Sequence, residues 1–201
     1  MRFFGKPKKV LVILGHPDRD SLSGKLAGMY ESGARAAGHS VERVNIGELQ
    51  FDPILHKGYK VIQELEPDLK DLQEKIKWCE HLVLFYPNWW STMPALLKGV
   101  FDRIWLPGFA FKFHRNADGV PTGRWDKLLK GRTAHVFIVT GTHPWALRFL
   151  FGDFSNEIRC AILKFSGFKT TVTSWGGTDH CPTWKIDHWS KKARVLGTQA
   201  R

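Results

Sequence analysis

No apolar run in this 201-residue chain approaches the ~20 residues that a membrane-spanning helix needs, so a soluble protein is expected. Cysteine is scarce: Cys79, Cys160 and Cys181 are widely spaced and odd in number, which argues against a disulfide framework and fits a reducing cytoplasm. A secretory signal is not expected either, because the apolar run Val10 to Leu14 is short and ends at Gly15-His16-Pro17-Asp18 without a small-residue cleavage pattern. The signatures of several enzyme classes are missing. Neither GxxxxGK[ST] nor GxGxxG occurs, which argues against a P-loop nucleotidase and a classical dinucleotide fold. No GxSxG elbow marks a covalent hydrolase, and no cysteine sits in a nucleophile motif. His180, Cys181, Asp187 and His188 have metal-ligand chemistry but not a usual zinc spacing, so no metal is expected.

Acid is the scarcer charge, with 19 Asp and Glu against 30 Lys and Arg and a formal net charge of +11. An excess of this size suggests nucleic acid or an anionic membrane until its location is read. Residues 1 to 9 carry Arg2, Lys6, Lys8 and Lys9 with no acid, and residues 185 to 201 carry five basic residues against Asp187. Most of the excess therefore sits at the two ends. No RNP sequence or zinc-finger spacing accompanies it, and no nucleic-acid partner is expected; a membrane partner is left open but not indicated. The nine tryptophans are suited to stacking on bases, yet several stand in apolar stretches where burial accounts for them. With 43% hydrophobic and 24% charged residues, residues 1–201 are expected to form one compact domain.

Periodicity lays out an alternation. Lys9 to Gly15 (KVLVILG) is a β-branched apolar run too short for a helix and reads as a strand buried on both faces. From Ser21 to Ala37, apolar residues recur at helical spacing, with Ser or Asp to cap the start and Gly38 to end it. Ser40 to Ile46 is a mixed, edge-like strand; a charged helix spans about Asp68 to Cys79; His81 to Tyr86 is a second buried strand; and a helix runs from about Pro94 to Trp105. Gly108 to Gly131, rich in Gly, Pro and aromatic residues, is predicted to be a long loop. Thr133 to Thr140 is a fourth strand, Asp153 to Phe165 a helix, Lys169 to Trp175 a polar fifth strand, and Thr183 to Leu196 a short closing helix. Strand-helix alternation implies an α/β doubly wound parallel sheet. The first, third and fourth strands are apolar throughout and the second and fifth are mixed, which gives the flavodoxin-like order 2-1-3-4-5. Ligands in such sheets bind at the carboxyl ends of the strands.

Two strand-end segments carry suitable chemistry. After the first strand, free amides at a helix start, the hydroxyls of Ser21 and Ser23, and cationic groups from Arg19 or His16 suit a phosphate; an ordinary capped helix accounts for the same residues. After the third strand, Trp89 and Trp90 suit stacking on a flat ring, and packing against a neighbouring helix or subunit accounts for them equally.

These segments resemble the flavodoxin-like NAD(P)H quinone oxidoreductases, the family of DT-diaphorase and its shorter bacterial relatives. The resemblance runs through Gly15-His16-Pro17 with Ser21-Leu22-Ser23, Tyr86-Pro87-Asn88-Trp89-Trp90-Ser91 with Pro94-Ala95-Leu96-Leu97-Lys98-Gly99 and Asp102-Arg103, Gly108-Phe109-Ala110-Phe111, and Val139-Thr140-Gly141. It implies a flavin, FMN or FAD, whose phosphate is held by His16, Ser21, Leu22 and Ser23. The ring would lie along Pro87, Asn88, Trp89 and Trp90 and meet Thr140, Gly141 and Thr142 at its pyrimidine side, where a side-chain hydroxyl is expected to serve because the family's second glycine is absent. It also implies a homodimer with a cleft at the interface, lined by Phe109 and Phe111.

The reaction implied is two-electron hydride transfer from NAD(P)H through the flavin to a quinone or similar flat acceptor. The absence of a long C-terminal extension favours the smaller flavin. The Tyr and His that assist in animal enzymes have no match in His143-Pro144-Trp145-Ala146-Leu147; His143 is the nearest acid/base candidate, and a bond to a backbone group is its structural alternative. Because relatives of this fold attach to potassium efflux transporters, a flavin-binding regulatory subunit is the second functional expectation.

Overall fold

The computed structural model describes residues 6–179 and 181–200, so Arg2, His180 and Arg201 lie outside the described residues. In chain order the elements are β1 (Lys9–Leu14), α1 (Leu22–Ala36), β2 (Ser40–Asn45), α2 (Pro67–Trp78), β3 (His81–Pro87), α3 (Ala95–Ile104), β4 (Phe111–Arg115), β5 (Pro121–Lys127), β6 (Thr133–Thr140), α4 (Pro144–Phe151), β7 (Lys169–Gly176) and α5 (Thr183–Gln199), with a π-helix at Glu157–Lys164. The main sheet has the order β2-β1-β3-β6-β7 with every pairing parallel. In sheet strands that is the 2-1-3-4-5 order, and its cause is the one read from polarity. The central strands are apolar on both faces, whereas β2 and β7 mix buried and exposed positions and take the edges.

Alternate side chains of each central strand feed two cores. Leu11, Leu84 and Val136 pack with Leu72 of α2 and Leu97 of α3, while Val12, Phe85 and Phe137 pack with Leu26 of α1 and Trp189 of α5. The α1 and α5 helices cross so closely that a Cβ on Gly33 would collide with the carbonyl oxygen of Arg194, and one on Gly197 with that of Tyr30. On the other face, Arg103 of α3 is 1% exposed and forks onto Glu66, at 2.9 and 3.1 Å, while bonding the carbonyls of Asp52 and Glu64. This staples the connection between β2 and α2 against α3.

Two expectations need correction, and one helix was not foreseen. Gly108 to Gly131 is not one long loop but contains the antiparallel hairpin β4-β5. Phe111 and Phe113 alternate with Lys112 and His114, and Phe165 receives both phenylalanines and stacks on Trp125 at 4.6 Å. Asn116 closes the turn by accepting from the amides of Asp118 and Val120. The predicted helix Asp153 to Phe165 is largely a π-helix starting at Glu157. The segment after His143 forms the helix α4, which buries none of its residues.

At the opposite end of the sheet, His81 is buried between Tyr30, whose OH lies 3.1 Å from Nε2, and Thr133, whose Oγ1 lies 2.7 Å from Nδ1. Burial, with the positive charge of Lys8, His135 and His39 adding, pushes its pKa down to about 3. The unfolded chain takes up that proton near the ordinary value of about 6.5. The contribution to stability is therefore complete above that value and declines by up to about 1.4 kcal/mol per pH unit as pH falls through the window toward 3. Urea unfolding measured across this window should show that slope in the parent protein and a shallower one in His81→Asn; equal slopes would place the acid sensitivity elsewhere.

Candidate functional site

Parallel pairing brings the segments after β1, β3 and β6 to one edge of the sheet. In the first segment, Ser21 caps α1 by accepting from the amide of Gly24 at 3.2 Å, and the amides of Leu22 and Ser23 meet no acceptor among the described residues. They are ready donors for an anion. Ser23 is only 2% exposed, so Ser21 carries the accessible hydroxyl. His16 accepts the amide of Asp18 at Nδ1, 2.9 Å away, which assigns the ring proton to Nε2 and makes that nitrogen a donor. Arg19, expected near the phosphate, pairs instead with Glu48 at 3.2 Å, at the rim of a polar cleft of about 550 Å³ beside β2.

The second segment meets the first through the edge-on contact of His16 with Trp89, with centroids 5.4 Å apart, and follows Pro87, the last residue of β3. Asn88 donates its amide to the Val139 carbonyl at 2.7 Å, extending the sheet by one bond, while its buried Oδ1 has no partner among the described residues. The chain then reverses in a two-residue turn, Trp89 and Thr92 exchanging backbone bonds at 2.9 and 3.1 Å. Its central residues, Trp90 and Ser91, have φ of 53° and 62°. That is the sign pattern of a type I′ turn, a place normally taken by Asn-Gly. Left-handed backbone at a non-glycine residue costs on the order of 1–3 kcal/mol, and neither amide here has an acceptor among the described residues. Trp90 is 100% exposed and Trp89 44%. Thr92 Oγ1 donates to Glu157 Oε2 at 2.6 Å.

In the third segment the hydroxyl of Thr140 is already used within the bend, which leaves Thr142 as the threonine at the position of the family's second glycine. Thr140 is buried and turns its Oγ1 onto the Thr142 carbonyl, 2.6 Å away. The amides of Gly141 and Thr142, free of partners among the described residues, are what this bend offers. His143 is exposed at the start of α4 and lies beside Lys185, its ring and the ammonium both flanking Gly177. Lys185 donates to the Gly176 carbonyl at 2.8 Å and has no carboxylate partner among the described residues.

The expected substrate-lining pair divides. Phe109 is 7% exposed and packs edge-on against Trp105 in the core, apart from the cavity that Phe111 lines. Phe111 lines an apolar cavity of about 870 Å³ together with Tyr59, Ile62, Phe113, Glu157 and Phe165. None of the cavity's walls comes from the three strand-end segments. Motif reading missed Glu157 and Lys185: the first stands 65 residues from Thr92, and the second belongs to no motif. Among the described residues no three His, Cys, Asp or Glu gather as a metal site.

Unspent amides in three adjacent segments, an orphaned buried oxygen and a flat exposed aromatic edge are features that fit a planar cofactor with an anionic tail. The backbone strain gives a direct check. Ser91→Gly should stabilise the folded protein by about 0.5–1 kcal/mol in urea unfolding by removing the cost of positive φ; an unchanged or lower midpoint would mean that the turn is not strained.

Residues 8–178 match the family described as having a flavodoxin-like fold. The ribosyldihydronicotinamide dehydrogenase (quinone) of Pongo abelii is 26% identical over 188 residues, covering 81% of this chain and 78% of its own length. The solved NAD(P)H:quinone oxidoreductase of Methanothermobacter marburgensis superposes with a TM-score of 0.79 at 23% identity, over 97% of this chain and all of that one. An FMN-dependent NADH-azoreductase of Bacillus anthracis, solved with FMN, superposes with a TM-score of 0.72 at 20% identity, over 94% and 97%. With the sheet order, the strand-end site and the family match in agreement, this chain belongs to the flavodoxin-like-fold family that includes the NAD(P)H quinone oxidoreductases.

Proposed function

We propose that the protein is a flavin-dependent NAD(P)H oxidoreductase that passes two electrons to a quinone or similarly flat acceptor. The observation that carries this reading is the strained Trp90-Ser91 turn, with two unspent amides, set between the α1 start and the Gly141-Thr142 bend. A bound flavin supplies the two-electron chemistry. The chain's part is placement: Ser21, His16 Nε2 and the Leu22 and Ser23 amides hold the phosphate, the Trp90, Ser91, Gly141 and Thr142 amides meet polar atoms of the ring, and Trp89 or Trp90 covers its edge. His143, whose imidazole follows the Gly141-Thr142 bend, is the group proposed to hold or give a proton there. FMN and FAD both suit this set of donors.

The cavity beside α3 supports a homodimer with a shared cleft. It adjoins the turn through Glu157, which lines it and holds Thr92, and its rim carries the exposed apolar residues Tyr59, Val61 and Ile62, the last 94% exposed. Exposure of this kind favours a covering surface. In the proposed arrangement Phe111, Phe113 and Tyr59 of one protomer complete the acceptor slot over the flavin of the other. No observation favours a transporter subunit.

The purified protein should carry a flavin absorption spectrum, and the mass of the molecule released on denaturation should distinguish FMN from FAD. NADH or NADPH oxidation should depend on an added quinone such as menadione. Phe111→Ala should raise KM for the quinone about tenfold, as loss of one buried ring contact implies, with flavin affinity unchanged, while light scattering reports a dimer. Full activity from a monomer would overturn the shared cleft, and a protein that neither holds nor takes up flavin would overturn the reading itself.

A further inference from the structure

We infer that Glu157 is a positioning residue for the turn at Trp90-Ser91: from the start of the π-helix its carboxylate holds Thr92, and through Thr92 it keeps the turn in the strained form offered to the cofactor. The inference deepens the flavin reading and rests on it for its function. Trp90 and Ser91 both occupy the left-handed region, where the local sequence supplies neither glycine nor asparagine to favour the conformation. Such a turn persists only where its surroundings over-determine it. Its backbone supplies the Trp89–Thr92 pair, which closes the turn without fixing it to anything else. The only side-chain hydrogen bond from residues 88–92 to another element, among the described residues, is Thr92 Oγ1 to Glu157 Oε2 at 2.6 Å.

The anchor is itself well built. Ile158, next to Glu157, is fully buried in the core. Asp153 gathers the Ser155 amide and hydroxyl at 3.0 and 2.6 Å and the Arg159 guanidinium at 3.1 Å, which fixes the segment leading into the π-helix. Glu157 stands in the first turn of that helix, where a negative charge is favoured. The turn is thus tied by a charge-assisted bond to a rigid segment 65 residues away. π-Helical turns are often retained at functional positions, and here the π-helix presents the carboxylate that the turn requires.

The test uses the full chain labelled with 5-fluorotryptophan, whose nine tryptophans serve as reporters, those of Trp89 and Trp90 being assigned by single Trp→Phe replacements. Thr92→Val, which keeps the shape and removes the donor, and Glu157→Ala should each shift the Trp90 resonance and leave the distant ones in place. Each should also weaken FMN binding about fivefold or more, the factor expected if the competent turn falls to a fifth of the population. Thr92→Ser should restore the parent values, and Thr92→Val with Glu157→Ala should be no worse than either alone, because both remove one bond. An unchanged Trp90 resonance in Thr92→Val, or losses that multiply in the double variant, would overturn the inference. If the parent takes up no flavin, the functional reading fails, while the fluorine shifts still decide whether Glu157 holds the turn.

Discussion

Parallel pairing of β1 with β3 and of β3 with β6 governs everything else in the molecule. Strands that all point one way must each be followed by a crossover, so every strand ends at the same edge, and the chain has to leave that edge in a loop before it can form the next helix. The central strands can sustain this only because they are apolar on both faces, with helices on each side to cover them. A row of loops with unpaired backbone groups follows directly from that arrangement. The site is what this chain does with that row.

Within the row, different segments use different means. The first relies on the geometry of a helix start, where two amides are left over by the rules of helical hydrogen bonding. The second holds backbone energy that a glycine would have avoided, at Trp90 and Ser91. The third spends its threonine hydroxyl internally, at Thr140, and leaves amides to face outward. All three converge on N–H groups rather than charged side chains. Of the basic residues toward the C-terminal end, Lys185 stands at this edge beside His143, donating to the Gly176 carbonyl.

Much of the sheet was legible because polarity and order are coupled: an apolar run such as HLVLFY has only interior places to go, and a run such as SVERVN has only an edge. The helix start at Ser21 was legible through its cap. The hairpin was not, because its alternating stretch is only a few residues long and lies among Gly108, Gly119, Pro121 and Gly123, which read as loop. The α4 helix escaped because PWALRFLF has no polar face to give it a period. Alternation alone also does not say which phenylalanine of Phe109 and Phe111 turns inward, and the answer depends on Trp105. The bond between Thr92 and Glu157 joins distant parts of the chain, and neither residue belongs to a pattern that would announce the other.

Where α1 crosses α5, the hydrogen atoms of Gly33 and Gly197 face the carbonyl oxygens of Arg194 and Tyr30. No methyl group enters that seam without parting the helices, and both helices begin at the edge where the strands end. The seam thus acts as a gauge that fixes how far apart the starts of α1 and α5, after β1 and after β7, stand. Whatever side chains the loops above it carry, the crossing beneath them admits nothing larger than a hydrogen atom at either glycine.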